Sequence, residues 1–183
     1  LNFSLAERWA SIPTENLKVD GIFEIQNDSF FLKFNILEPS VIATNSDFNS
    51  PVWQDSCVEF FCSFNNESYY NFEINAIGAI LGQYGKDRSH RDFLKPEMLK
   101  KIEVQSSLGN EPFGLKNEKT QWETAILIPF SIFSKNEINL LDSLSFNIYK
   151  CADKSSHKHY LSLFDINSEK PDFHRPEFFK KFY

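Results

Sequence analysis

The sequence predicts an all-β fold, an antiparallel β-sandwich of jelly-roll type with very little helix. Three observations lead there. Strand-like runs are separated by turn residues at fairly regular spacing along the chain. The runs alternate in polarity with a period of two, as a strand's side chains do. Phenylalanine occurs twenty times in 183 residues, against three Trp and one Met, and bulky aromatics favour strands and thick sandwich cores. The length fits one domain spanning 1–183. A domain of this size buries roughly two thirds of its unfolded surface and requires no metal or disulfide staple.

The elements follow in order. "GIFEIQ" and "SFFLKFNILE" flank Asn27-Asp28-Ser29, a hairpin turn. Next come "VIATN", "SCVEFFCSF", "YYNFEINAIG", "KIEVQSSLG", "WETAILIPF", "LSFNIYKCA" and "HYLSLFDI". Turn signals separate them at Asn65-Asn66-Glu67-Ser68, Gly85-Lys86-Asp87 and Gly109-Asn110-Glu111-Pro112. Single helical turns are expected near 96–101 and 129–133. In the tail "PDFHRPEFFKKFY", Pro171 and Pro176 forbid a central strand. Its aromatics still require burial, so the tail is expected to pack along the sandwich, with a short edge strand at "FFKKFY".

The formal net charge of −6 and pI near 5.3 disfavour a phosphate-backbone partner. The densest basic stretch, "GKDRSHRDFLK", is interrupted by Asp87 and Asp92, so no nucleic-acid role is expected. Cys57 and Cys62 lie at odd spacing on one strand and face opposite sides, and free buried thiols are expected there and at Cys151. That pattern fits the cytosol without excluding the periplasm or secretion. No apolar run reaches the length of a membrane span, and no signal-peptide pattern is visible from Leu1 onward. The compartment and oligomeric state stay open.

The strand at 55–64 carries a question. Val58, Phe60, Cys62 and Phe64 form a core face, while Glu59, Phe61 and Ser63 share the other side. On the following strand Tyr70, Phe72, Ile74 and Ala76 oppose Asn71, Glu73 and Asn75. A short turn joins the two strands as an antiparallel hairpin, which puts Glu59 and Glu73 on one side of one sheet. Later, Asn147 and Tyr149 oppose Phe146, Ile148 and Lys150. A solvated outer face explains polar residues in general. Adjacent carboxylates, however, cost stability unless something pairs with them. Carboxyl and amide groups beside Trp53 and Tyr84 suit sugar hydroxyls, with aromatic rings covering the apolar face of a pyranose.

Four stretches in order, "PVWQDSCVEFF", "YYNFEINAIG", "FNIYKCAD" and "PDFHRPEFF", resemble the family-nine-like carbohydrate-binding modules within the DOMON-like β-sandwiches. More narrowly the chain is similar to a single-domain branch of gut Bacteroidetes that often carries an endoxylanase label by association. The resemblance spans nearly the whole chain. It implies a jelly-roll-like sandwich that binds sugars without cleaving them. In the family a Trp, and a Glu six residues later, hold a terminal sugar; Trp53 and Glu59 stand at that spacing, and Glu73 and Asn75 match polar residues of the next strand. Family members also hold calcium in structural loops, which here points to Asp47 or Asp55. The chain departs from the pattern where the family places a second Trp after Leu-Ser, since Leu163 stands there with Phe164 beside it. Lys180 replaces a Gly.

The expected ligand is a xylan- or glucan-derived saccharide. Trp53 stacks on the ring, Glu59, Glu73 and Asn75 bond hydroxyls, and Tyr84, Arg88 and Lys150 close the rim, the basic pair favouring acidic sugars. Two alternatives stay open. A small jelly-roll glycosidase would use Glu59 and Glu73, because opposed residues on paired strands approach the spacing of a retaining pair. A structural or partner-binding domain would bury Trp53 instead. His157 and His159 face one way but lack a third ligand, and His174 reads as a lock on the tail. No catalytic residues, resident metal or other cofactor are expected, and no phosphate loop or nucleophile elbow occurs.

Overall fold

The Asn27-Asp28 turn starts the first sheet. Both residues have positive φ, 47° and 56°, the left-handed pair that a two-residue type I′ hairpin requires and that Asn and Asp tolerate. The structure is a computed structural model describing residues 1–9, 14–139 and 141–182. Its strands are β1 (Asn2–Ser4), β2 (Ala6–Glu7), β3 (Lys18–Gln26), β4 (Ser29–Glu38), β5 (Val41–Ala43), β6 (Cys57–Ser63), β7 (Tyr69–Asn75) and β8 (Ile80–Asp87). The series continues with β9 (His90–Phe93), β10 (Glu103–Ser106), β11 (Phe113–Lys116), β12 (Thr120–Pro129), β13 (Ser145–Cys151), β14 (Tyr160–Ser162) and β15 (Lys180–Lys181).

One sheet runs β1-β3-β4-β12-β10. The other runs β2-β14-β13-β6-β7-β8-β9, with β15 also on β13, and β11 pairs with β5 apart from both. All pairings described are antiparallel. The all-β sandwich is thus present, and its core is aromatic. Phe23 of the first sheet lies 5.2 Å from Phe60 and 4.8 Å from Phe146 of the second, and Phe30 lies 5.4 Å from Phe60. Each such ring fully buried contributes on the order of 1.5–3 kcal/mol.

Alternation assigned the inner face of β6 and β7 correctly: Val58, Phe60, Cys62, Phe64, Tyr70, Phe72, Ile74 and Ala76 all join the main core. The outer face is not a solvated one. The tail crosses it and forms a second apolar cluster with Phe61, Tyr69, Tyr149, Phe173 and Phe179. Phe173 stacks on Tyr149 at 4.2 Å and 6°, and Tyr149 Oη donates to the Phe173 carbonyl at 3.1 Å. His174 Nδ1 meets Tyr69 Oη at 3.0 Å, the tail lock expected of that histidine. The expected edge strand is β15 on β13; Tyr183 lies outside the described residues.

Several expectations need correction. Gly85-Lys86-Asp87 is not a turn but the end of β8. The two glycines in that strand mark close approach rather than a bend: a Cβ on Gly85 would sit 2.0 Å from the His90 carbonyl oxygen, and one on Gly82 2.6 Å from Leu99. The helical turn near Pro96 is α1 (Pro96–Leu99), the one near Pro129 is a 3₁₀ turn at Phe130–Ile132, and α2 (Lys135–Ile138) was not anticipated. No helix among the described residues is long and apolar enough to cross a membrane.

Candidate functional site

The outer face of the larger sheet is ruled by register. Tyr149, Glu59, Glu73 and Leu81 form one row across β13, β6, β7 and β8, each directly opposite the next. The row toward one end is Asn147, Phe61, Asn71 and Gln83; the row toward the other includes Cys151, Cys57 and Asn75. The tail covers part of this surface and leaves a hollow of about 290 Å³ over Glu59 and Glu73. Trp53, Arg91, Tyr160 and the segment 171–174 stand around it.

Both carboxyls are buried, Glu59 at 3% and Glu73 at 4% exposure. Glu59 Oε1 accepts from the Cys151 thiol at 3.0 Å. Burial pushes the Glu59 carboxyl well above the usual carboxylate range, and Cys151 and Glu73 beside it push the same way. Glu73 Oε1 accepts from Asn71 Nδ2 at 3.0 Å, and Arg91 in turn donates to Asn71 Oδ1 at 3.0 Å. Burial raises Glu73 to about 7 despite the opposing pull of Arg91, the Asn71 bond and Arg88. Its other oxygen, Oε2, has no hydrogen-bond partner although buried. Such an atom costs roughly 1–3 kcal/mol, a cost that a bound hydroxyl would remove.

Trp53 rides on a 3₁₀ turn, Val52–Gln54, whose Val52 is buried while the Trp53 side remains 39% exposed. The turn is pinned from below. Asp55 accepts from Thr44 Oγ1 at 3.0 Å, from the backbone and side-chain nitrogens of Asn45 at 3.0 and 3.1 Å, and from Asn75 Nδ2 at 2.9 Å. Cys151 Sγ also lies 3.3 Å from the Trp53 carbonyl oxygen, a contact alternative to its bond with Glu59. The indole is therefore presented by a framework rather than by a loose loop.

The expected site residues separate into two groups. Trp53, Glu59, Glu73 and Arg88 line the hollow. Asn75 does not: its amide is committed to Asp55 and to the Asn45 carbonyl, at 2.8 Å, and its oxygen accepts from the Ile77 and Ala79 amides. Tyr84 lies on the inner face, 4.3 Å from Tyr70, with its hydroxyl on Ser68 Oγ at 2.7 Å. Alternation explains it, because Tyr84 stands opposite Tyr70 and not Glu73. Lys150 is also inside the sandwich, with no exposure, bonded to Glu38; it shares the Phe146 and Ile148 side of β13.

The sequence reading missed Arg91, Gln83, Asp153, Tyr160 and Asp172 at the hollow. Tyr160 Oη donates to Asp153 Oδ1 at 2.6 Å. Tyr160 and Phe173 are rings on the wall, whereas Leu163 and Phe164 pack on the main core. The "CAD" and "PDFH" stretches held the available signal for two of the missed residues, Asp153 and Asp172. The carboxylate of Asp55 has its oxygens taken up by four donors, so it does not fit a calcium ion, which needs free oxygen lone pairs. Asp47 is exposed in the same loop.

The family model for carbohydrate-binding family 9 matches residues 8–183. A crystal structure of a candidate carbohydrate-binding protein from Bacteroides uniformis is 33% identical, with a TM-score of 0.87, covering 98% of this chain and 84% of that one. A family 9 carbohydrate-binding module from Caldicellulosiruptor kristjanssonii in complex with glucose shares the fold at 13% identity and TM-score 0.58, covering 97% of this chain and 82% of that one. A module of the same family and organism with cellotriose gives 13% identity and a TM-score of 0.56, over 97% and 78% of the two chains. No curated protein matched the sequence.

Proposed function

Because the chain belongs to carbohydrate-binding family 9, we propose that it binds a xylan- or glucan-derived saccharide in the hollow over Glu59 and Glu73, without cleaving it. One observation carries this reading: a half-exposed indole stands at the lip of a hollow whose floor is a buried carboxyl pair, with one oxygen left unpartnered. Trp53 covers the apolar face of a pyranose ring, gaining its area as buried surface. Glu59 and Glu73 meet the hydroxyls at the ring edge, and a hydroxyl on Glu73 Oε2 removes the cost of that orphan atom. Arg91, held through Asn71, fixes the orientation of Glu73.

The charge around the hollow suits a neutral sugar. Arg88 and Arg91 are offset by Asp153 and Asp172, with Arg88 3.8 Å from Asp172. Lys150, which would have tipped the balance toward acidic sugars, is bonded to Glu38 within the core. Gluco-oligosaccharides are the first ligands to test, given the glucose and cellotriose complexes of the two structures that share the fold.

Calorimetry with cello- and xylo-oligosaccharides tests the reading. Binding heat is expected with at least one series, lost in Trp53→Ala, and the sugar is expected to be recovered intact. Heat with neither series overturns saccharide binding of this kind. The glycosidase alternative draws on the Glu59–Glu73 register itself, since opposed pairs approach the roughly 5–5.5 Å of a retaining pair. It predicts released product that disappears in Glu73→Gln.

A further inference from the structure

Beside the carboxyl pair, the same face gathers two thiols. Cys57 and Cys151 stand directly opposite each other on β6 and β13. Glu59 follows Cys57 by two residues on the same face, and its longer side chain reaches back toward them. One ligand atom from each of the three lies within 4.8 Å of the others. Two donors bound to one tetrahedral zinc at about 2.0–2.3 Å stand roughly 3.3–3.8 Å apart, so the spacing is within the reach of side-chain rotation alone.

A second observation points the same way. Cys151 and Glu59 line the hollow, which gives an ion an entrance and a coordination position facing solvent. Glu73, opposite Glu59, is 96% buried by its 4% exposure and holds the unpartnered oxygen noted above. Glu73 is not one of the three donors; it stands next to Glu59 in the same row. We propose that Cys57, Cys151 and Glu59 form a binding site for a thiophilic divalent cation of the zinc class, with its fourth position open to the hollow.

Donor chemistry selects the ion. Thiolates favour zinc and its soft neighbours, whereas calcium and magnesium demand oxygen ligands. Uptake is an exchange of protons for metal, with no electron transfer. Each thiol releases its proton to water through the hollow as its sulfur takes the ion, and Glu59 releases its own where it holds one. A disulfide between Cys57 and Cys151 is the competing use of the pair, since opposed residues on antiparallel strands fall within bridging distance. The carboxyl as third donor is what favours the ion.

The test is a titration of the reduced, metal-stripped full chain with Co²⁺, without sugar. One equivalent is expected to produce an intense thiolate-to-cobalt charge-transfer band that Zn²⁺ abolishes. Cys57→Ser and Cys151→Ser should weaken binding by at least roughly 100-fold, the upper end of what outer-sphere losses alone cost. Glu59→Gln, which leaves a weaker neutral oxygen donor, should weaken it by more than roughly tenfold, the lower end of outer-sphere losses, and Cys62→Ser, on the inner face, should change nothing. Circular dichroism identifies any variant that fails to fold; the wild-type band does not depend on the variants. Absence of that band overturns the site, as does a band unchanged in folded Cys151→Ser. Mild oxidation that consumes two thiols of a protein whose reduced form takes up no cobalt also overturns it, in favour of the disulfide. Failure here leaves the sugar reading standing, and failure of the sugar reading leaves this site standing.

Discussion

Lys150 Nζ lies 3.0 Å from Glu38 Oε2, and neither side chain has exposed surface. The pair ties β13 of one sheet to the end of β4 in the other. It is completely bonded: Trp122 Nε1 donates to Glu38 Oε1 at 2.6 Å, and Lys150 also reaches the Cys151 carbonyl and His159 Nε2, each at 3.0 Å. His159 is held neutral, since burial and then Lys150 lower its pKa well below the usual histidine value. Its Nδ1 proton goes to the His157 carbonyl at 2.7 Å, which leaves Nε2 to accept from Lys150.

Removing one member of such a pair leaves the other charge buried alone, at about 3–5 kcal/mol. Lys150→Met is therefore expected to lower the unfolding free energy by that amount in a denaturant titration. Saccharide affinity, measured well below the melting temperature, should stay unchanged. The opposite pattern, unaltered stability with weakened binding, would return Lys150 to the rim of the site.

Trp53→Ala should do the reverse. The indole is 39% exposed and touches the hollow, so its loss should cost little stability. A central aromatic anchor is worth about 2 kcal/mol or more, roughly thirtyfold in affinity. Of the three Trp residues, Trp122 is buried at 1% exposure and Trp9 is half-buried against Phe173, which leaves Trp53 the most exposed. Sugar should therefore shield the wild-type protein from a soluble fluorescence quencher, and that shielding should vanish in the variant.

Asn75 acts at one remove. Its side chain holds Asp55 and the Asn45 carbonyl, and so the turn that presents Trp53. Asn75→Ala leaves several buried groups without partners, at roughly 1–3 kcal/mol each. Weaker binding is expected together with lower stability, and with Trp53 more open to quencher in the sugar-free protein. An affinity loss with no change in sugar-free quenching would instead mean that Asn75 touches the ligand.

Local pattern made much of this legible, and distance in sequence hid the rest. The period of two put Glu59 and Glu73 on one face, and the short Asn65–Ser68 connection fixed their pairing. The same alternation placed Lys150 with Phe146 and Ile148, but its partner Glu38 lies 112 residues away, so an inward lysine had no visible counter-ion. Tyr84 failed for another reason. Gly82 and Gly85 depress the strand signal of β8, and without β8 the residue could not be assigned to the Tyr70 face. Arg91 was lost with β9, whose four residues HRDF are too short and too charged to read as a strand. The tail's aromatics called for burial along the sandwich, but nothing local indicated that they would roof this outer face and turn an apparent solvated surface into a hollow.

Burial sets a pH dependence through Glu73. Its carboxyl stands at about 7 in the folded protein against an ordinary 4.5. Below pH 4.5 both folded and unfolded chains hold the proton, and this group's contribution is at its most favourable. As pH rises toward 7 the unfolded chain ionises while the folded one keeps its proton, so stability falls across that window and levels off above it. The full effect is about 3 kcal/mol. Glu59, raised in the same direction, extends the loss. Glu73→Gln has no proton to lose, so its denaturation midpoint should fall less than that of the wild type between pH 4.5 and 8. Arg88, Arg91 and Asn71 face Glu73 and favour its ionised form. Equal slopes in the two proteins would mean that these three outweigh burial and keep Glu73 charged throughout.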